Sequence, residues 1–167
     1  MTATATRQVG EQGERPAGHY LLAGGAAEVE RLQLQAGVWE PEAEALLDRI
    51  GVSPGWNCIN LGCGANGILG PLSRRVGPTG RVVGLDRDAQ QFAAARAFVR
   101  QNRLENVEAV AGDAYGTGLP RSSFDLVHVR FVFAPAGRDE ALLQEMLALA
   151  RPGGIIAIQE PGAASWA

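Results

Sequence analysis

The sequence predicts an α/β domain built on a doubly wound parallel sheet. Short runs rich in Val, Ile and Leu recur along the chain, and stretches of helical periodicity separate them. The first run, from Asn57, breaks at the bare turn Gly62-Cys63-Gly64-Ala65-Asn66-Gly67, and a helix follows. Strands that alternate with helices demand crossover connections, and the resulting parallel sheet is covered on both faces. A glycine turn at the end of such a strand can bend sharply and admit a ligand to the backbone. The helix beyond it offers unpaired N–H groups and a partial positive charge.

The chain can be taken in order. Residues 1–18 are rich in Thr, Ala, Gly, Glu and Gln and read as a disordered tail. Residues 19–50 read as a helical amino-terminal cover, anchored by His19-Tyr20-Leu21-Leu22. Its first helix, from Glu28 to Trp39, carries Val29, Leu32, Leu34, Ala36 and Trp39 as an imperfect stripe. Pro41 suits the first turn of a second helix with Ala45, Leu46, Leu47 and Ile50 on the buried face, and Gly51 ends it. Residues 51–167 then form the sheet domain. Arg81 to Asp86 is a second strand, and Asp88 caps a helix from Ala89 to Asn102 with Phe92, Ala95, Phe98 and Val99 as its stripe. Strands follow at Val107–Ala111 and Phe124–Val129, then a helix from Glu140 to Ala150. A turn at Pro152-Gly153-Gly154 leads into a fifth strand, Ile155 to Gln159.

Composition excludes several classes. Hydrophobic residues make up 46% and charged residues 20%, which is ordinary for one globular domain of 167 residues. A formal charge of -3 leaves no basic footprint for nucleic acid. No apolar run approaches the roughly 20 residues that span a bilayer. The amino terminus has no signal-peptide core, so a cytoplasmic protein is expected. Two cysteines, Cys58 and Cys63, form no disulfide framework or metal-ligand spacing.

The turn satisfies G-x-G-x-x-G, with Asp86 about 20 residues on, as in dinucleotide-binding units. An acid at that strand end grips the ribose of any adenosine ligand, so these residues alone leave NAD and S-adenosylmethionine both open. The rest of the chain separates them. Asn60-Leu61-Gly62-Cys63-Gly64, Val83-Gly84-Leu85-Asp86, Gly112-Asp113-Ala114, Leu119-Pro120 with Ser123-Phe124-Asp125, and Leu149-Ala150-Arg151-Pro152-Gly153-Gly154 occur in this order. Together they resemble the class I S-adenosylmethionine-dependent methyltransferases, from about Tyr20 to the last residue. An NAD-dependent oxidoreductase becomes the weakest reading.

The resemblance implies a Rossmann-like sheet of strand order 3-2-1-4-5 and S-adenosylmethionine as cofactor. Gly62 and Gly64, with Cys63 between them, would lie against its methionine part. Asp86, beside Arg87, would bind the ribose hydroxyls, and Asp113 and Ala114 would frame the adenine. The segment from His128 to Phe131, including Arg130, would line the site near the transferred methyl. Tyr20 and Gln35 would belong to the cover that closes over the cofactor. His128, Arg130 and His19 are the candidates for a catalytic role, although a histidine on a buried strand is more often a core residue. Asp125 reads as structural, Cys63 as a small packed residue, and Tyr20, Trp39 and Trp56 as packing aromatics.

Three features depart from the family pattern. Asn60 stands where these enzymes carry Asp or Glu, keeping the hydrogen-bonding shape but losing the charge. Asn66 replaces the last glycine of the usual spacing, and Asn tolerates a left-handed backbone. The family adds two strands beside the fifth, and this sequence shows five strands, which places Ile155–Gln159 at the sheet edge. An apolar edge strand calls for cover, so a homo-oligomer or a partner chain is expected there. The reading is therefore methyl transfer to a small-molecule acceptor. The alternative is a methyltransferase-fold protein that binds the cofactor without methylating: a cyclase, an isomerase or a partner-stabilising subunit.

Overall fold

The computed structural model describes residues 26–133 and 138–160. The elements are α1 (Ala26–Val38), α2 (Glu40–Ile50), β1 (Asn57–Leu61), α3 (Leu69–Val76), β2 (Arg81–Asp86), α4 (Ala89–Gln101), β3 (Val107–Ala111), β4 (Phe124–Arg130), α5 (Asp139–Leu149) and β5 (Ala150–Gln159). The strands form one parallel sheet of order β3-β2-β1-β4-β5. The predicted architecture and order hold. The expected tail, residues 1–18, and His19 and Tyr20 at the start of the expected cover lie outside the described residues.

Alternation along the strands divides the core between two faces. On one, Cys58, Val82, Leu126 and Ala157 pack beneath Ala43 and Leu47 of α2, Leu69, Leu72 and Val76 of α3, and Ala95 of α4. On the other, Ile59, Leu61, Val83, Leu85, Val127 and Val129 meet Leu142, Met146 and Leu149 of α5. These strands are buried on both sides, which is why they read as mostly apolar runs without an exposed polar face.

The helical cover differs from its predicted stripes. α1 ends at Val38, and Trp39 occupies the turn before α2. Leu34 is 68% exposed, whereas Ala36 is buried. In α2 the buried pair is Ala43 and Leu47, while Ala45 is exposed. Positions four apart share a helix face and positions two apart do not, so choosing Leu47 brings Ala43 inward and turns Ala45 out. Pro41 falls in the first turn of α2 and Gly51 ends it in the left-handed region, φ 75°. Three ion pairs dock α2 on α3: Arg74 with Glu40 and Glu44, and Arg75 with Asp48. A fourth joins Arg75 to Glu44. All are solvent-screened at least on one side and contribute little individually.

Asp125 ties the starts of three strands together. Its Oδ2 accepts the Asn57 amide at 2.7 Å, and its Oδ1 accepts Arg151 Nε at 2.6 Å. The predicted turn at 152–154 lies inside a longer β5. Phe124 pairs with Ala150 and Leu126 with Ile155, so 151–154 bulge outward while Arg151 is held by Asp125. β5 is the sheet edge, with Ile158 44% exposed and Ala157 buried.

Candidate cofactor site

The site is assembled at the carboxyl ends of β1, β2, β3 and β4. β2 delivers Asp86, whose neighbour Asp88 starts α4 by accepting the Gln90 and Gln91 amides at 2.9 and 3.0 Å. Asp86 itself fixes the glycine turn. Its Oδ2 accepts the Gly64 amide at 2.8 Å, and its Oδ1 accepts the Asp88 amide at 3.0 Å. Burial raises the Asp86 pKa above the ordinary carboxylate value, and those two amides oppose the shift. Each carboxylate oxygen keeps acceptor capacity beyond the one amide it already takes.

The turn is held from below by Asn60, which is 1% exposed. Its Oδ1 accepts the Ile68 amide at 3.3 Å, ordering the entry to α3. Its Nδ2 lies 3.2 Å from His128 Nδ1 on the neighbouring strand. Asn60 therefore orders the loop from the position where the resemblance expects an acid, and does so without charge. Asn66 departs from expectation: it does not adopt the left-handed backbone. Gly67, one residue on, takes it instead, with φ 46°. A Cβ there would sit 2.4 Å from Asn60 Oδ1 and 2.7 Å from the Cys63 carbonyl, so only glycine fits. The Asn66 carbonyl accepts the Leu69 amide at 3.0 Å, while its side-chain Oδ1 is buried with no partner.

Cys63 contributes backbone alone. Its amide donates to the Leu85 carbonyl at 3.0 Å, and its buried side chain faces Gly84 in the core. Burial, then Asp86, push its thiol above the ordinary value, which disfavours the thiolate that a nucleophile or metal ligand would need. The side of Gly62 that would carry a Cβ is taken by Val132, 2.7 Å away, and that of Gly64 faces Leu32 of α1 at 3.7 Å. The cover thus does approach the turn, through Leu32. Gln35 lies one helical turn further along α1, where its Oε1 accepts from Arg31 at 3.0 Å. Asp113 is exposed at the end of β3, with its Oδ1 accepting the Tyr115 amide at 3.0 Å, and Ala114 is buried. Arg87 is exposed beside Asp86.

The end of β4 forms a second wall. Arg130 is held by the Gly67 carbonyl at 3.3 Å and the Trp39 carbonyl at 3.5 Å, and burial lowers its pKa. Phe131 follows with φ 58°, an uncommon backbone for a bulky residue. Its ring meets Trp39 edge-on at 5.3 Å and the Arg130 guanidinium at 5.7 Å. Glu160, just past β5, accepts the Val132 and Phe133 amides at 3.0 and 2.8 Å. Sequence reading missed Leu32, Val132 and Glu160. A carboxylate directly after an apolar strand was the available signal for Glu160.

His128 does not line an open site as the resemblance implied. It is fully buried inside β4, and its pKa is pushed down to about 3 by burial and then by Arg130. It stays neutral near pH 7, and a ring this buried and this weakly basic is poorly placed to take a proton from an acceptor. The unfolded chain protonates this ring near pH 6.5 and the folded one does not, so acid favours unfolding. Stability contributed by neutral His128 is complete above about pH 6.5 and declines by about 1.4 kcal/mol per pH unit below it. Urea titrations at several pH values will show this slope, and the His128→Gln chain will show one proton fewer.

The site fits an adenosine ligand bearing an amino-acid tail. Asp86 suits a ribose diol, and the buried, unpartnered Asn66 Oδ1 and Gln91 Oε1 flank the turn, the latter 3.9 Å from where a Gly64 Cβ would be. Among the described residues no group of three or more His, Cys, Asp or Glu could hold a metal ion. No described helix is long and apolar enough to cross a membrane.

A glycine turn pinned by an acidic strand end, in a sheet of this order, defines a doubly wound nucleotide-binding α/β domain. More narrowly, the chain belongs to the methyltransferase-domain family, whose model matches residues 53–167, and its sheet order is that of the class I S-adenosylmethionine-dependent enzymes. It is 32% identical over 123 residues to nocamycin O-methyltransferase of Saccharothrix syringae, covering 74% of this chain and 44% of that protein. It is 29% identical over 108 residues to demethylmenaquinone methyltransferase of Lactococcus lactis, covering 65% and 43%. A solved S-adenosylmethionine-dependent methyltransferase from Aquifex aeolicus superposes with a TM-score of 0.71 at 25% identity, over 81% of this chain and 72% of that one. The chain spans less than half the length of either curated relative.

Proposed function

We propose that the chain binds S-adenosylmethionine and transfers its methyl group to a small-molecule acceptor. The observation that carries this is Asp86, which stands at the end of β2 and pins the glycine turn by accepting the Gly64 amide at 2.8 Å. Asp86 would hold the ribose hydroxyls, with Arg87 beside it. Asp113 and Ala114 would frame the adenine. Gly62, Cys63 and Gly64 would pass the methionine part along bare backbone, with Asn66 Oδ1 accepting from its ammonium. The bound cofactor supplies an electrophilic methyl carbon on a sulfonium, so the protein mainly aligns the nucleophile and excludes water. Arg130, Phe131 and Trp39 supply that wall. The two curated relatives are named for methylation of small molecules, and this chain's formal net charge is -3, which supports an acceptor of that class over a nucleic acid.

A second reading is favoured by one observation. Asn60 stands where the family pattern has an acid, so the site offers its ligand less negative charge than that pattern does. A protein that binds the cofactor and catalyses another reaction would fit this. Incubation with methyl-labelled S-adenosylmethionine and a panel of phenolic and quinol acceptors discriminates. Label appearing in an acceptor is the expected result; tight binding of S-adenosylhomocysteine with no transfer to any acceptor favours the second reading.

A further inference from the structure

The face of the sheet that carries the glycine turn is apolar except for a polar line crossing three strands. Asn60 on β1 is the direct register partner of His128 on β4, and His128 is the partner of Ala157 on β5. Register partners point to the same face, and so does the residue two further along. Gln159 therefore shares the face with His128, and the small Ala157 leaves the ring room to reach towards it. Gln159 lies close enough to raise the His128 pKa against the larger effect of burial. Yet His128 Nε2 and Gln159 Oε1 are both buried, each without a partner inside hydrogen-bond distance.

The orientation of every group follows from one end. Asn60 Oδ1 accepts the Ile68 amide, so the atom 3.2 Å from the ring is the amide nitrogen, a donor. His128 Nδ1 must then accept, and the ring proton must sit on Nε2, pointing along β5 where an orphan acceptor waits. A doubly protonated ring would set N–H against N–H. We propose that Gln159, His128 and Asn60 form one buried hydrogen-bond relay ending on the Ile68 amide, and that His128 and Gln159 are positioning residues for the glycine turn. A small shift of the Gln159 amide closes the last gap and satisfies both orphans. The relay explains how the chain dispenses with the acid: an aspartate at 60 would meet the same ring as an ion pair, whereas Asn60 and a neutral histidine are complementary.

The groups around the ring agree. Arg130 on the same strand is the charge that bears on it and disfavours protonation. β1 presents Asn60 and β5 presents Ala157 and Gln159, none of which ionises. The buried side chains that α2 and α3 bring to the apolar cluster on this face, Ala43, Leu47, Leu69 and Leu72, carry no charge.

Nitrogen-15 NMR of the histidine rings in the full chain tests the tautomer, with His128→Gln assigning the signal against His19. The expected result is a ring protonated on Nε2 that does not titrate between about pH 5 and 8. In Asn60→Asp the same ring should take a second proton within that range. A ring protonated on Nδ1, or one titrating near the ordinary 6.5, overturns the proposal. The positioning role rests on the S-adenosylmethionine reading and is read as affinity for S-adenosylhomocysteine. His128→Leu should lose about tenfold, as should Gln159→Leu to a lesser degree, while His128→Gln, which can accept and donate in the same directions, should retain affinity. Equal affinity in His128→Leu and the parent chain removes the positioning role. No binding by the parent chain, with the Nε2 tautomer intact, defeats the cofactor reading and leaves the relay standing. Should His128→Leu fail to fold, the tautomer and the Gln159→Leu affinity decide.

Discussion

Calorimetric titration of S-adenosylhomocysteine into the Asp86→Ala chain will show at least a tenfold loss of affinity, about 1.4 kcal/mol, relative to the parent. Two losses add. The charge-assisted hydrogen bonds to the ribose diol disappear, each of a kind that contributes about 1.5 to 3 kcal/mol. The Gly64 and Asp88 amides, held at 2.8 and 3.0 Å, also lose their acceptor, so the turn is no longer fixed in its bound shape. Stability will fall less than affinity. The Asp86 pKa is raised in the fold, chiefly by burial, so removing the carboxylate also removes an unfavourable desolvation. The same shift predicts a pH dependence: parent affinity will be flat near neutrality and will decline on acidification as the carboxylate is neutralised. That decline begins at a higher pH than an ordinary Asp would give. Equal affinity in both chains removes Asp86 from the site.

Gly67→Ala will be the most destabilising single-methyl substitution in the glycine turn, lowering stability by about 2 to 5 kcal/mol. Alanine in the left-handed region, here φ 46°, costs about 1 to 2 kcal/mol. The added carbon would overlap Asn60 Oδ1 at 2.4 Å and the Cys63 carbonyl at 2.7 Å, and overpacking of this kind costs about 1 to 3 kcal/mol more. Neither neighbour yields freely: Asn60 is buried between the Ile68 amide and His128, and the carbonyl is backbone. Against a total stability of about 5 to 15 kcal/mol this is a large fraction. Urea unfolding will report it as a lower midpoint at unchanged slope. Gly37→Ala is the control. Gly37 lies in α1 with nothing within 4 Å of its added carbon, so the exchange should stabilise by about 0.5 to 1 kcal/mol. A Gly67→Ala midpoint matching the parent's would show that the turn can relax around the methyl.

Much of this was readable in the chain. The order of strands and helices, the parallel sheet, Asp88 as a helix cap, Gly51 as a helix end and Asp86 at a strand end are all local signals. Each depends on a few neighbouring residues whose spacing or backbone preference writes the structure directly. Where the local signal was ambiguous, tertiary packing chose: Leu34 and Ala45 are apolar but face solvent, because the helix rotates to bury Ala36, Ala43 and Leu47. Asn66 was a reasonable candidate for the left-handed turn position, yet Gly67 takes it at lower steric cost.

What the sequence could not reveal was the meeting of Asn60 with His128, which are 68 residues apart. Nor could it reveal Val132 over Gly62, the Arg130 contact with the Trp39 carbonyl, or Glu160 holding the loop after β4. Those contacts exist because β4 inserts beside β1 and β5 beside β4, and strand neighbours are fixed by packing of the whole sheet. The chain by itself determined that a bare glycine turn follows the first strand and that a carboxylate ends the second, since backbone freedom and strand-end residues are local properties. Only the tertiary structure decided that the cradle is braced by a neutral asparagine–histidine pair, because burial and the company of distant residues set charge and tautomer.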